Sequence, residues 1–306
     1  MNGFPDMSVE IAGIRMKNPV MVSSGTLGYG EVCEGLWDLG MLGAFVTKTI
    51  TLFPKEGNPP PRIAEVPSGI LNSIGLQNVG VEEFKRGKLP YLLQFGIPII
   101  VSIGGESIDE YAELARILGE EEGISGIELN ISCPNVEDGM AFGSDPSLAG
   151  MLVEKVKAIS KLPVIPKLTP NVGDITAIAR AVEGAGADAI SLINTVLGMA
   201  IDIRRRRPRL SRVVGGLSGP AIKPIALRMV WEVARAVSIP IIGMGGITNA
   251  EDAIEFLIAG ATAVAVGTAN FLDPYAPLKV IDGIRKYLLE NGIESVRFLV
   301  GSLETE

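Results

Sequence analysis

The amino-acid sequence predicts an α/β fold, a (β/α)8 TIM barrel, from three observations. Eight short, β-branched apolar runs alternate with longer amphipathic stretches along 306 residues. Aromatic residues make up only 5% of the chain, so aliphatic side chains must fill the core, as in parallel strands that are buried on both faces. No linker rich in Pro, Gly and Ser divides residues 1–306, which are therefore expected to form one domain. A doubly wound parallel sheet is the alternative fold.

The predicted elements follow one another along the chain. An N-terminal hairpin of Val9–Ile11 and Ile14–Met16 is expected to plug the barrel floor. The eight predicted strands are Val20–Ser23, Ala44–Thr47, Ile97–Ile103, Gly126–Ile131, Val164–Leu168, Ala189–Ile193, Ile239–Gly243 and Ala263–Val266. Helical spacing predicts helices over Ile108–Leu118, Leu148–Ile159, Ile175–Glu183, Ala221–Val237, Ala250–Leu257 and Pro274–Leu289. Asn249 is a predicted helix cap, and Pro146 follows Asp145 as a first-turn proline.

Two connections are unusually long for a compact domain. They are Ile50–Leu71, which is rich in Pro and Gly, and Val196–Gly219. Such loops are usually lids or binding loops, so we expect both to lie over the C-terminal face of the barrel. The second carries Arg204–Arg207, which is either a solvated run or a contact with a partner or a phosphate.

Composition excludes several classes of function. The formal net charge of −8 argues against nucleic acid as a partner, because phosphate binding needs a basic surface. The two cysteines, Cys33 and Cys133, are too few for a disulfide framework or a CxxC metal site, and no metal is expected. With no signal peptide and no apolar stretch of membrane-spanning length, the sequence predicts a soluble cytoplasmic protein.

The chain contains no histidine. This excludes triads built on Ser–His or Cys–His, and zinc sites of the HExxH type. A proton-transfer step must then use Cys, Lys, Tyr, Asp, Glu or a hydroxyl group.

Polar residues and glycines follow every predicted strand. Side chains that do chemistry in such barrels project from these C-terminal strand ends. The residues there are Ser24, Gly25, Lys48, Thr49, Ser102, Asn130, Lys167, Asn194, Thr195, Gly245, Gly246, Gly267 and Thr268.

The last two strand ends, in the segments MGGI and GTAN, are typical of a phosphate cradle of glycine backbone N–H groups and a helix N-terminus. The alternative is that these glycines only serve tight turns. Lys167 in VIPKLTP is either a cation for the negative charge of a reduced flavin or a core lysine paired with a carboxylate. Lys48 has the same two interpretations.

The segment ELNISCPN, residues 128–135, is the sharpest motif. Asn130 and Asn135 flank Ser132 and Cys133, and Pro134 holds the turn. Amides bind planar groups that carry both donors and acceptors, such as a pyrimidine dione. A cysteine on a loop at this face is able, as its thiolate, to accept a proton, whereas Cys33 fits a buried and inert cysteine.

These residues closely resemble the class 1 dihydroorotate dehydrogenases over nearly the whole chain. NSIGLQNVG (residues 72–80) is similar to that family's substrate loop, NISCPN to its base-carrying loop, and GMGGI and VGTAN to its flavin phosphate site. The resemblance implies that Cys133 is the base. It implies FMN contacts at Ser24, Lys48, Thr49, Ser102, Asn130, Lys167, Ile193, Gly219, Gly245, Gly246, Gly267 and Thr268. It implies substrate contacts at Lys48, Asn72, Ser73, Ile74, Gly75, Leu76, Asn130, Asn194 and Thr195.

One residue departs from the family pattern. Strand three ends VSIGG, where an Asn is expected, so Ser102 occupies a position that would contact the flavin.

The segment GGLSGPAIKPIALRMV, residues 215–230, is similar to the NAD-linked B type of the family. The resemblance implies oxidation of dihydroorotate to orotate in pyrimidine biosynthesis, beside a second subunit that carries FAD and a [2Fe–2S] cluster, in a heterotetramer with two copies of each chain. Two cysteines cannot hold such a cluster, and no GxGxxG follows a strand to hold NAD. The alternatives are another FMN barrel acting on pyrimidines, of the dihydropyrimidine dehydrogenase or dihydrouridine synthase kind, or a non-catalytic barrel that binds FMN or phosphate.

Overall fold

Eight parallel strands close into a barrel in the computed structural model, which describes residues 4–132 and 142–305. Each strand pairs with its neighbours in chain order, and the last pairs with the first. This confirms the predicted (β/α)8 barrel and excludes the doubly wound sheet. The strands are β1 (Val20–Val22), β2 (Ala44–Val46), β3 (Ile99–Ile103), β4 (Ile124–Asn130), β5 (Val164–Leu168), β6 (Ile190–Leu192), β7 (Ile241–Met244) and β8 (Ala263–Val266).

Helices connect the strands outside the barrel. They are α1 (Gly80–Glu83), α2 (Leu89–Leu93), α3 (Ile108–Leu118), α4 (Pro146–Lys157), α5 (Ile175–Gly184), α6 (Lys223–Ala234), α7 (Ala250–Ile258), α8 (Ala269–Leu272) and α9 (Ala276–Glu290). A π-helical segment, Phe84–Lys88, joins α1 to α2, and 3-10 turns span Glu31–Cys33, Leu39–Met41, Phe142–Ser144, Pro220–Ile222 and Val296–Leu299.

Two predicted helix starts, at Asn249 and at Asp145–Pro146, are confirmed by their caps. Asn249 Oδ1 accepts the backbone N–H of Asp252 at 2.9 Å, and Asp145 Oδ1 accepts that of Leu148 at 2.9 Å. Each cap satisfies a backbone donor that has no partner within the first turn, which stabilises a helix by about 1 kcal/mol.

The N-terminal hairpin of Val9–Ile11 and Ile14–Met16 forms as predicted, with its first and last residues in each strand buried. A side chain on Gly126, near the start of β4, would meet Ile14 Cδ1 at 3.0 Å. The hairpin therefore packs against the N-terminal end of the barrel, opposite the predicted site.

The two long loops meet in one antiparallel sheet, which we call the lid sheet. Its strands, in spatial order, are Val196–Gly198, Gly215–Ser218, Gly69–Asn72 and Ile63–Val66. The Arg204–Arg207 run lies beyond it, and Arg207–Pro208 pairs with Ile201–Asp202. All four of these arginines are exposed.

Close packing between helices and strands sets the shape of the barrel. Phe256 of α7 is fully buried, and a Cβ on Gly243 of β7 would lie 2.8 Å from its ring. A glycine at this point of β7 lets the ring approach the strand. Truncating a fully buried Phe typically costs about 3–5 kcal/mol. Within residues 4–132 and 142–305, no helix has the length and apolar character needed to cross a membrane.

Candidate active site

Three hydroxyl side chains from consecutive strands form a hydrogen-bonded chain. Ser24, after β1, shares a hydrogen bond with Thr49 at 3.1 Å between the hydroxyl oxygens. Thr49 in turn bonds the hydroxyl of Ser102 on β3 at 2.9 Å. Ser102 is fully buried, and its backbone N–H donates to Thr47 Oγ1 at 3.1 Å. The predicted residues Ser24, Thr49 and Ser102 are thus brought together. Ser102 is the most deeply buried of the three.

Two predicted amides meet on the other side of the barrel. Asn194 Nδ2 donates to Asn130 Oδ1 at 3.2 Å and to Ser132 Oγ at 2.7 Å. Tyr111 of α3 fixes the end of β4, because its hydroxyl donates to the Asn130 carbonyl oxygen at 2.6 Å. β4 and β6 are not neighbours in the sheet, because β5 lies between them. Asn130 ends β4 and Asn194 follows β6, so their side chains meet at the C-terminal opening of the barrel.

Two further predicted residues, Asn72 and Thr195, both lie next to Gly216 of the lid sheet. Asn72 is in register with Gly216 and donates from Nδ2 to its carbonyl oxygen at 3.2 Å. A Cβ on Gly216 would lie 2.1 Å from Thr195 Oγ1, so only glycine allows this approach. Asn171 also supports the segment, because its Nδ2 donates to the Thr195 carbonyl oxygen at 3.0 Å.

The predicted substrate loop Asn72–Leu76 is held from one side by Asn58. Asn58 Nδ2 donates to the Ser73 carbonyl oxygen at 3.1 Å and to its hydroxyl at 2.9 Å, and the Asn58 backbone N–H donates to the Ile74 carbonyl oxygen at 2.9 Å. Gly75 is exposed and Leu76 is half-buried. The loop therefore has a defined backbone with part of its surface open.

Lys48 lines an open cavity of about 730 Å³, together with Tyr29, Gln77 and Asn78. Burial, followed by the nearby positive charge of Arg62, lowers the pKa of Lys48 below its usual value of 10.5. Among the residues that the structure describes, no carboxylate oxygen lies within 4.0 Å of Lys48 Nζ. A half-buried cation in this state favours an anionic ligand.

Two pairs of predicted residues around β6, β7 and β8 lie close together. A Cβ on Gly219 would be 3.5 Å from Thr268 Cγ2, and one on Gly245 would be 3.3 Å from Ile193 Cγ1. Gly246 has φ +81°, and its Cβ would lie 2.9 Å from the backbone nitrogen of Lys223. Only glycine therefore allows this turn to adopt its shape and its contact with α6.

A charged pair holds the same turn. Lys223 Nζ donates to Asp252 Oδ1 at 2.7 Å, and Asp252 Oδ2 accepts both the backbone N–H of Thr248 at 2.8 Å and its hydroxyl at 2.6 Å. Burial alone would raise the pKa of Asp252, but the hydrogen bonds from Lys223 and Thr248 lower it overall. The loop after β7 is thus anchored to α6 and α7.

Lys167 lies inside the barrel, 6% exposed, with Nζ 3.7 Å from Glu128 Oε1. The alternative in which a core lysine pairs with a carboxylate is therefore observed, although the distance exceeds that of a hydrogen bond. Glu128 was missed by sequence reasoning. The available signal was its place two residues before Asn130, which puts both side chains on the same face of β4.

Of the two cysteines, only Cys33 lies within the described residues. Cys133, the predicted base, lies outside the described residues. Cys33 is 1% exposed, and burial raises its pKa to about 11, which fits the predicted inert role.

Comparison with known proteins gives the family. The sequence model of the family described as "Dihydroorotate dehydrogenase" matches residues 6–288. A relative from Citrifermentans bemidjiense, named "Dihydroorotate dehydrogenase B (NAD(+)), catalytic subunit", is 56% identical over 98% of this chain and 99% of its own. Relatives of the same name from Desulforamulus reducens and a Thermoanaerobacter species are 56% and 53% identical, over 97% and 98% of this chain and 98% and 100% of their own.

The predicted resemblance to the B type is confirmed by these relatives. A family match over residues 6–288, together with relatives more than 50% identical over nearly the whole chain, shows the family. The chain belongs to the dihydroorotate dehydrogenase family.

Proposed function

We propose that this chain oxidises dihydroorotate to orotate with the help of bound FMN. The observation that carries the proposal is Lys48, a half-buried ammonium beside Arg62 with no carboxylate within 4.0 Å among the described residues. The substrate carries a carboxylate, which would supply the missing negative charge. Asn72, Asn194 and Thr195 lie at the same face and offer donors and acceptors for the dihydropyrimidine ring.

The residues present fit FMN. Gly246, with φ +81°, lets its turn pack closely against Lys223 at the start of α6, and Lys167 is a buried ammonium whose Nζ donates no hydrogen bond to the described residues. The phosphate would be held by Gly245, Gly246, Gly267 and Thr268, and the ring by Ser24, Lys48, Thr49, Asn130, Lys167, Ile193 and Gly219, with Ser102 acting through Thr49. When bound, FMN supplies a two-electron acceptor for the hydride that leaves C6 of the substrate.

The chain's own residues would do the rest. Asn130 and Asn194 orient the ring, and Lys48 holds the carboxylate. Cys133, placed by sequence on the loop after β4, would take the C5 proton at Sγ. Loss of that proton and of the C6 hydride forms the C5=C6 double bond of orotate, so charges and electrons balance.

The electrons are proposed to reach NAD through a second subunit. The relatives named above are called catalytic subunits, which supports a partner that does a different part of the reaction. Two cysteines are too few to ligate a [2Fe–2S] cluster, so FAD and the cluster would reside on the partner, in an assembly with two copies of each chain.

Anaerobic titration of the purified chain tests the function. We expect a yellow protein whose flavin absorbance bleaches on addition of dihydroorotate. Dihydrouracil, which lacks the carboxylate, is the matched control and should not bleach it. Bleaching by dihydrouracil alone would favour a dihydropyrimidine dehydrogenase-like enzyme, and a flavin that neither compound bleaches would identify a non-catalytic flavin-binding barrel.

A further inference from the structure

A charged pair lies inside the barrel, and one of its members, Lys167, is a predicted site residue. Glu128 on β4 is 2% exposed, and Lys167 on the neighbouring β5 is 6% exposed. Ser191 of β6 donates to Glu128 Oε2 at 3.0 Å. Because β5 lies between β4 and β6, a side-chain bond that joins them must cross the barrel interior.

The contact between the two charges is electrostatic. Glu128 Oε1 lies 3.7 Å from Lys167 Nζ, beyond hydrogen-bond distance, and it has no hydrogen-bond partner in the described part of the chain. A carboxylate with one unbonded buried oxygen is costly unless a nearby charge compensates it. Lys167 provides that charge, while its own N–H donors remain available to a ligand.

The pair would also determine the net charge close to a flavin bound at the proposed site. An ammonium close to the flavin favours its reduced form, which gains negative charge around N1. A carboxylate 3.7 Å from that ammonium opposes its field, since the two charges sum to zero. Glu128 should therefore make the flavin harder to reduce and easier to reoxidise.

We propose that Glu128 is a positioning residue that sets, through Lys167, the redox potential of the bound flavin. The inference rests on the proposed FMN site and extends it to a residue that makes no contact with the flavin. Its consequence is that electrons leave the flavin readily for the next acceptor.

The test is Glu128→Gln, which removes the charge and keeps the shape. The holoprotein is reduced with dithionite against redox dyes, so the measurement does not require dihydroorotate to be the substrate. We expect the ratio of reduced to oxidised flavin at a fixed dye potential to rise about tenfold, a positive shift of about 30 mV for a two-electron couple. Glu128→Asp, which keeps the charge, should stay near the wild-type potential.

Two further variants separate the charge effect from a structural one. Lys167→Met should shift the potential in the opposite direction to Glu128→Gln. Glu113→Gln, which breaks an exposed pair with Arg116 on α3, should leave it unchanged. An unchanged or more negative potential in Glu128→Gln, or equal shifts in the Gln and Asp variants, would overturn the proposal. Loss of flavin from Glu128→Gln would do the same, because the residue is not proposed to hold it. A wild-type flavin that dihydroorotate does not reduce would instead count against the proposed function.

Discussion

Asn194 Nδ2 lies 3.2 Å from Asn130 Oδ1, and this bond joins the loop after β6 to the last residue of β4. Both amides were predicted to contact the substrate, and the structure shows that they also orient each other. An amide flip at either residue would break the bond, so the two must present a fixed set of donors and acceptors to a ligand.

Replacing Asn194 by Asp is expected to weaken orotate binding about tenfold. The change removes the donor to Asn130 and Ser132 and places a carboxylate against the Asn130 oxygen, and each lost bond is worth about 0.5–1.5 kcal/mol. Calorimetric titration with orotate measures the loss. Asn291→Asp, at the exposed C-terminal end of α9, is the control and should bind as wild type does. Equal affinity in the Asn194 variant would show that the amide pair does not contact the ligand.

Replacing Lys48 by Met should abolish measurable orotate binding while stabilising the ligand-free protein. Burial lowers the pKa of Lys48 in the folded state, so its charged form disfavours folding. This cost is present below the folded-state pKa and disappears as the pH rises toward 10.5, the value of an unperturbed lysine. Urea unfolding at pH 7 and near pH 10 should therefore show a gain for Lys48→Met that is larger at pH 7. A gain that grows with pH would contradict the assignment.

Replacing Gly246 by Ala should raise the dissociation constant of FMN at least tenfold. The residue has φ +81°, and the new Cβ would lie 2.9 Å from the Lys223 backbone nitrogen, so the loop must move. Gly292→Ala is a matched control, because φ is +65° and nothing lies within 4 Å of a Cβ there. Both variants should lose about 1–2 kcal/mol of stability from backbone strain, but only the first should release flavin, as followed by flavin fluorescence. Equal affinities would remove this turn from the cofactor site.

Replacing Cys133 by Ser should slow the reduction of the flavin by dihydroorotate by orders of magnitude and leave FMN bound. In the wild type the rate should rise with pH toward about 8.5, where an unperturbed thiol loses its proton. Cys33→Ser is the control, because burial raises the Cys33 pKa to about 11 and keeps it protonated across the range. Stopped-flow spectroscopy from pH 6 to 9 measures both. A Cys133→Ser enzyme as fast as wild type would assign the base elsewhere.

The barrel was predictable because each of its strands has a local signature. Runs such as Ala263–Val266 are apolar on both faces, and this pattern can be recognised without knowledge of the partner strand. The α1–α2 segment was missed because Gly87 and Pro90 interrupt its helical pattern. The lid sheet was missed because its pairs, such as Asn72 with Gly216, join segments far apart in sequence, and its glycine-rich strands show no alternation.

The sequence predicted where the candidate site residues lie along the barrel strands better than it predicted their contacts. Thr49, Asn130 and Lys167 lie at the C-terminal ends of their strands, as predicted, and their roles in binding stay predictions. Their partners depend on tertiary geometry. Asn171, for instance, lies in a loop with no motif. Its role follows from the bond that it donates to the Thr195 carbonyl oxygen at 3.0 Å and the bond that it accepts from the Leu197 backbone N–H at 2.9 Å.

The lid sheet forms only when two distant chain segments pair with each other. Four of the eight barrel strands lie between Gly69–Asn72 and Gly215–Ser218 in the sequence, yet these two segments are the paired middle strands of the same sheet. A chimera that takes only one of the segments from a relative would therefore pair lid-sheet strands from two different proteins. Recombination within this family should preserve function only when both segments come from the same parent protein.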